Sequence, residues 1–93
     1  MKQPALEERP ALKRGCRLAP ASSTEPLLLI PEGALRLHGP ARRILELCDG
    51  ERNLAGVIEQ LQLEFPAAEA SRISVEVMKY LRDLQQKGAI EFL

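Results

Sequence analysis

Between residues 27 and 50 the order of apolar and polar positions passes through three patterns, and each is closed by turn residues. Leu27-Leu28-Leu29-Ile30 is an apolar run of strand length. Pro31-Glu32-Gly33 follows, with Pro pre-setting φ at the start of a turn and Gly free to close it with positive φ. Leu35-Arg36-Leu37-His38 then alternates apolar and polar, which predicts a second strand with one buried face. Gly39-Pro40 ends that strand, and Pro40 is suited to the first position of a helix. Ala41, Ile44, Leu45 and Cys48 recur at helical spacing until Asp49-Gly50, where Gly takes the helix-ending conformation.

Further along, Asn53 is a natural N-cap for a second helix, whose apolar stripe is Leu54, Val57, Ile58, Leu61 and Phe65. Pro66 separates it from a third and longest helix, which begins near Ala68 or Ser71 and runs to Lys87 before Gly88. Its core side is Ile73, Val77, Tyr80, Leu81 and Leu84. Residues 89–93 alternate weakly and predict a short last strand. At the other end, residues 1–13 are polar, contain Pro4 and Pro10, and predict a flexible arm. Residues 14–19 predict a first strand with Gly15 as a bulge or turn, and 20–26 a loop. The expectation is therefore an arm over 1–13 and a single α+β domain over 14–93. That domain has a small N-terminal antiparallel sheet followed by three helices, in a winged helix-turn-helix-like order. The core is predicted to centre on Leu45, Ile58, Leu61, Val77, Leu81 and Leu84.

Ninety-three residues suffice for one domain of modest stability, and 45% hydrophobic with 28% charged residues is a globular composition. Aromatics are only 3%, so the core is aliphatic. No apolar run is long enough to span a membrane, and the N-terminus lacks the apolar centre of a secretion signal, which leaves a cytoplasmic protein as the expectation. Cys16 and Cys48 have no metal-ligand spacing and read as two free thiols. The lone His38 has no nucleophile motif beside it and reads as a polar residue at a strand end. With no phosphate loop and no metal motif, neither catalytic residues nor a metal or cofactor are expected.

Net charge is zero, without the basic surplus by which nucleic-acid binders displace counterions. On the third helix, Arg72, Lys79, Arg82 and Lys87 are offset by Glu69, Glu76 and Asp83, which argues against a DNA-reading face. Val75 and Met78 fall on the far side of that helix. Two readings stand open: scattered exposed apolar residues, or the floor of a peptide groove rimmed by Lys79 and Arg82. A winged-helix transcription regulator is the rival that the element order allows.

An ordered set of pieces resembles the PqqD family of pyrroloquinoline quinone (PQQ) biosynthesis. They are Pro10 with Arg14-Gly15, Leu29-x-Pro31-Glu32-Gly33 before Leu35-x-Leu37, and Ile44-Leu45-x-Leu47-Cys48-Asp49-Gly50. Leu54-x-x-Val57-Ile58-x-x-Leu61 and Val77-x-x-Tyr80-Leu81-x-x-Leu84 up to Gly88 complete it, with Glu76 supplying the acid before the helix valine. The resemblance implies a non-catalytic adaptor that binds the precursor peptide PqqA and presents it to the radical S-adenosylmethionine enzyme PqqE. Recognition of a peptide for some other modifying enzyme is the neighbouring alternative. It also places the peptide on the edge of the third strand, Ala34, Leu35, Arg36, Leu37 and His38, beside the third helix. Val75, Met78, Lys79 and Arg82 would then complete the site. The loop over 20–26 further allows a homodimer by exchange of the N-terminal strand.

Overall fold

The computed structural model describes residues 6–20 and 25–93. The expected loop over 20–26 lies partly, and the start of the expected arm wholly, outside the described residues. The fold is mixed α/β, with two small antiparallel sheets and three helices. In chain order it runs β1 (Pro10–Leu12), β2 (Arg17–Leu18), β3 (Leu27–Ile30), β4 (Gly33–Arg36), α1 (Ala41–Glu46), α2 (Leu54–Glu64), α3 (Ala70–Gln86) and β5 (Ile90–Phe92).

β2, β3 and β4 form one sheet in that order, and β4 is an edge. Ile30 pairs with Gly33, so Pro31-Glu32 is a two-residue hairpin loop. β4 is shorter than the alternation suggested: Leu37 continues the ladder only through its N–H, which donates to the Pro26 carbonyl at 2.9 Å, and His38 lies beyond it. Proline's missing N–H ends the pairing there. Leu35 and Leu37 do turn inward, as the period predicts.

The second sheet is a correction to the expected arm. Pro10-Ala11-Leu12 pairs with Phe92-Glu91-Ile90. Arg9 and Leu93 exchange both backbone hydrogen bonds, at 3.1 and 2.8 Å. The segment's other edge is also used. Its carbonyls at Leu6 and Glu8 accept from the first amides of α2, Ala55 N and Leu54 N, at 3.0 and 2.8 Å, while Pro10 O accepts from Gly50 N at 3.0 Å. These amides have no partner within the helix and need one from outside it. Gly50 has φ of 79°, a backbone conformation that residues with a side chain rarely adopt, so this junction favours glycine.

The helices follow their sequence signals closely. Asn53 caps α2, its side chain accepting from Gly56 N at 2.8 Å. Pro40 stands at the N-cap of α1 rather than inside it, and α1 ends at Glu46 instead of reaching Cys48. All six residues expected at the centre of the core are buried there, with Leu28, Leu54 and Ile90 fully enclosed beside them. Cys48 is buried, its thiol donating to Ile44 O at 3.2 Å, and burial pushes its pKa up to about 12. Cys16 and Cys48 are both free thiols. β2 is seated on β3 of its own chain through Arg17–Leu29 and Leu18–Leu28. Of the loop over 20–26 that strand exchange would use as its hinge, residues 21–24 lie outside the described residues.

Candidate peptide-binding site

The hydrogen-bond parity of the hairpin decides which backbone groups β4 offers. Leu37 N bonds back to Pro26 O, so alternation makes Leu35 and Gly33 the residues whose amides and carbonyls face β3. Ala34 and Arg36 therefore direct theirs away from the sheet. Both residues are exposed, and among the described residues no strand pairs with this edge. An unpaired edge is a ready template for an added strand. Arg36 reaches back to Glu25 at 3.5 Å, a solvent-exposed ion pair of small energetic weight.

Past Arg36, the chain passes through buried Leu37 and exposed His38 to Gly39 and Pro40, which form one lip of a cleft of ≈ 580 Å³ between the three helices. Its walls are apolar: Ile44 from α1, Leu61 and Phe65 from the end of α2, and Ile73 and Val77 from α3. Phe65 is 41% exposed because α2 stops at Glu64 and leaves the ring overhanging. Arg42, Arg43, Glu46 and Glu76 stand at the rim. The arginines are already engaged. Arg43 Nε and Nη2 donate to the two carboxylate oxygens of Glu64 at 2.7 and 2.6 Å, and Arg42 donates to Ala19 O at 3.0 Å and pairs with Glu46 at 3.3 Å. A cleft so neutralised suits an apolar side chain better than a carboxylate.

The Arg43 bridge, with help from the Gln60 amide, draws the Glu64 carboxyl down to about 2, from an ordinary value of 4.5. A depressed folded value means that the stabilising contribution is complete above about pH 4.5 and disappears as pH falls toward about 2. The gap in urea midpoint between wild type and Glu64→Gln is accordingly expected to be open at neutral pH and to close by about pH 2. A gap that stays constant across that range would show that the bridge does not tie α1 to α2.

The expected α3 residues are divided between different surroundings. Lys79 and Arg82 line a second, polar furrow of ≈ 440 Å³ together with Glu76, Tyr80, Asp83 and Gln86, and Glu76 joins it to the apolar cleft. Val75 is 65% exposed and lines neither. Met78 differs from the expected outer position. It is half-buried against the core, because it sits one turn from Leu81 on the same flank of the helix. Ala34, Leu35, Arg36, Leu37 and His38 line neither furrow but lead directly to the lip of the first. Sequence reading missed the cleft, because its walls are the same apolar stripes that build the core. Phe65, an aromatic beside a helix-ending Pro66, was the one visible sign.

The family model described as Coenzyme PQQ synthesis protein D (PqqD) matches residues 25–90, which span β3, β4, the cleft and all three helices. The chain belongs to the PqqD family. Curated relatives bear the name PqqA binding protein: one from Azotobacter vinelandii is 33% identical over 98% of both chains. Another, from Pseudomonas paraeruginosa, is 36% identical over 87% of both, and one from Klebsiella pneumoniae 38% over 77% of both. The fold agrees with the solution NMR structure of the PqqD truncation of Methylobacterium extorquens PqqCD. That structure is described as a functional, stand-alone recognition element for ribosomally synthesised and post-translationally modified peptides. The TM-score is 0.71 at 29% identity, over 88% of this PqqD-family chain and 87% of that one.

Among the described residues of this PqqD-family chain, no group of three or more His, Cys, Asp or Glu side chains is placed to hold a metal, and no helix is long and apolar enough to cross a membrane.

Proposed function

We propose that the protein is a non-catalytic adaptor of PQQ biosynthesis that binds the precursor peptide PqqA by strand addition and presents it to PqqE in the cytoplasm. The free edge of β4, leading into an apolar cleft, carries this reading. The peptide backbone pairs with the outward amides and carbonyls of Ala34 and Arg36, which gives affinity tolerant of sequence. Selectivity comes from side chains at alternate peptide positions, those on one face reaching the cleft. Leu35, Leu37 and His38 hold the edge in place. On α3, Val75 and Met78 offer apolar contact, while Lys79 and Arg82 attract acidic peptide residues in a salt-dependent way. The hairpin and the α2–α3 pair act as a winged-helix-like platform that reads a peptide in place of DNA. The chain's zero net charge, without the basic surplus that a run of phosphates requires, weighs against the DNA-binding alternative.

The test is one amide. Arg36→Pro removes the outward N–H but no ladder bond, since proline is tolerated on an edge strand. Against an Arg36→Ala control, which accounts for the lost Glu25 pair, PqqA affinity is expected to fall about tenfold, or 1.4 kcal/mol. Equal affinity in the two variants would mean that the peptide does not pair with this edge.

A further inference from the structure

The face of the three-stranded sheet that turns away from the helices is not the polar surface usual for the wet side of an antiparallel sheet. Leu18, Leu28, Ile30 and Leu35 point inward onto the core. By the alternation of the pleat, Leu27, Leu29 and Ala34 point outward, and none of the three belongs to the core or packs against it. Arg17 lies opposite Leu29, which lies opposite Ala34, so these three form one row across the sheet; Arg36 stands opposite Leu27 in the next row. The turn before β2 adds Lys13 and Arg14, and it abuts the hairpin tip, where the Gly15 position faces Pro31 at 3.5 Å.

Lys13, Arg14 and Arg17 are all exposed, and among the described residues none has a carboxylate within ion-pair distance. Of the nearby acids in the sequence, Glu25 is taken by Arg36, and Glu32 sits exposed in the hairpin loop. On a chain of zero net charge this is a local cationic excess beside the half-buried Leu27 and Leu29.

From this arrangement we infer that the outer sheet face is a docking surface for a partner protein with an acidic rim around an apolar contact. A second copy is a poorer occupant, because a two-fold pairing sets the patch against itself and brings like charges together. The inference rests on the proposed strand addition in one respect. A peptide added to β4 extends the Arg17–Leu29–Ala34 row by one position, so a partner on this face touches protein and peptide together. Peptide and partner then strengthen each other's binding reciprocally. The occupant is accordingly the modifying enzyme that must receive the peptide.

The experiment measures binding of purified PqqE, and separately of PqqA, to the full chain, to K13E/R14E/R17E and to Leu29→Thr, which keeps a strand-compatible residue at an outward position. Enzyme affinity is expected to drop about tenfold in the triple variant, with most of its salt dependence gone, and about threefold in Leu29→Thr. PqqA affinity should stay within about twofold, since the added strand lies roughly three strand spacings, about 14 Å, from β2, beyond the Debye length of about 8 Å. Unchanged enzyme binding by the triple variant overturns the inference and leaves the peptide site standing. So does a wild-type dimer in light scattering that Leu29→Thr dissociates, which would make the face a self-contact. Wild-type protein that binds enzyme but not peptide overturns the strand-addition reading instead, and with it the reciprocity.

Discussion

Deletion of residues 1–12 is expected to leave a chain with no cooperative thermal unfolding transition. That segment looks dispensable by composition, yet its described part, residues 6–12, is hydrogen-bonded along both edges. Toward β5 it holds Leu93 through the paired bonds with Arg9; toward α2 it satisfies the amides of Gly50, Leu54 and Ala55. Pro10 is fully buried and Leu12 packs on the core. A net of about 0.5–1.5 kcal/mol for each hydrogen bond, and about 1.5–3 kcal/mol for a leucine returned to water, together approach the 5–15 kcal/mol by which small domains are stable. The helix amides and the inner edge of β5 would also lose their partners without replacement. Circular dichroism during heating decides it. A truncated chain melting within a few degrees of the full one would show that the N-terminal segment is an accessory to a domain starting near residue 14.

Leu81→Ala is expected to cost about 2–5 kcal/mol, the range for deleting a buried leucine side chain. Leu81 is fully enclosed, one turn beyond Val77 on the side of α3 that meets the rest of the core. Chemical denaturation should show the loss in the midpoint with little change in slope. Val75→Ala on the same helix, at a 65% exposed position, serves as the control and should leave the midpoint nearly unmoved. Equal effects at the two positions would mean that the helix is rotated from the observed phase.

The parts of the fold that depend on neighbours in the chain were legible in advance. The Pro31-Glu32-Gly33 hairpin, the Asn53 cap, the stops at Gly50 and Gly88 and the buried stripe of α2 are all local devices. β1 was not legible, because three residues flanked by charges carry no period, and their partner lies some eighty positions away at Ile90–Phe92. Met78 shows the limit of helical phase: one position round from Val77, it lies on the flank of the stripe, where the packing of neighbouring elements decides burial. The edge strand β4 was legible as a strand, but which of its amides face outward came only from the Leu37–Pro26 bond, and the cleft only from the angles at which the three helices meet.

Amide chemical shifts during titration with PqqA test the central claim most directly. Strand addition with an occupied cleft predicts large shifts at Ala34 and Arg36, with their amides protected from exchange in the complex. Further shifts are expected at Gly39, Ile73 and Val77 around the cleft and at Lys79 and Arg82 along α3. Shifts confined to the outer side of α2, with residues 34–38 and 73–82 unmoved, would contradict it.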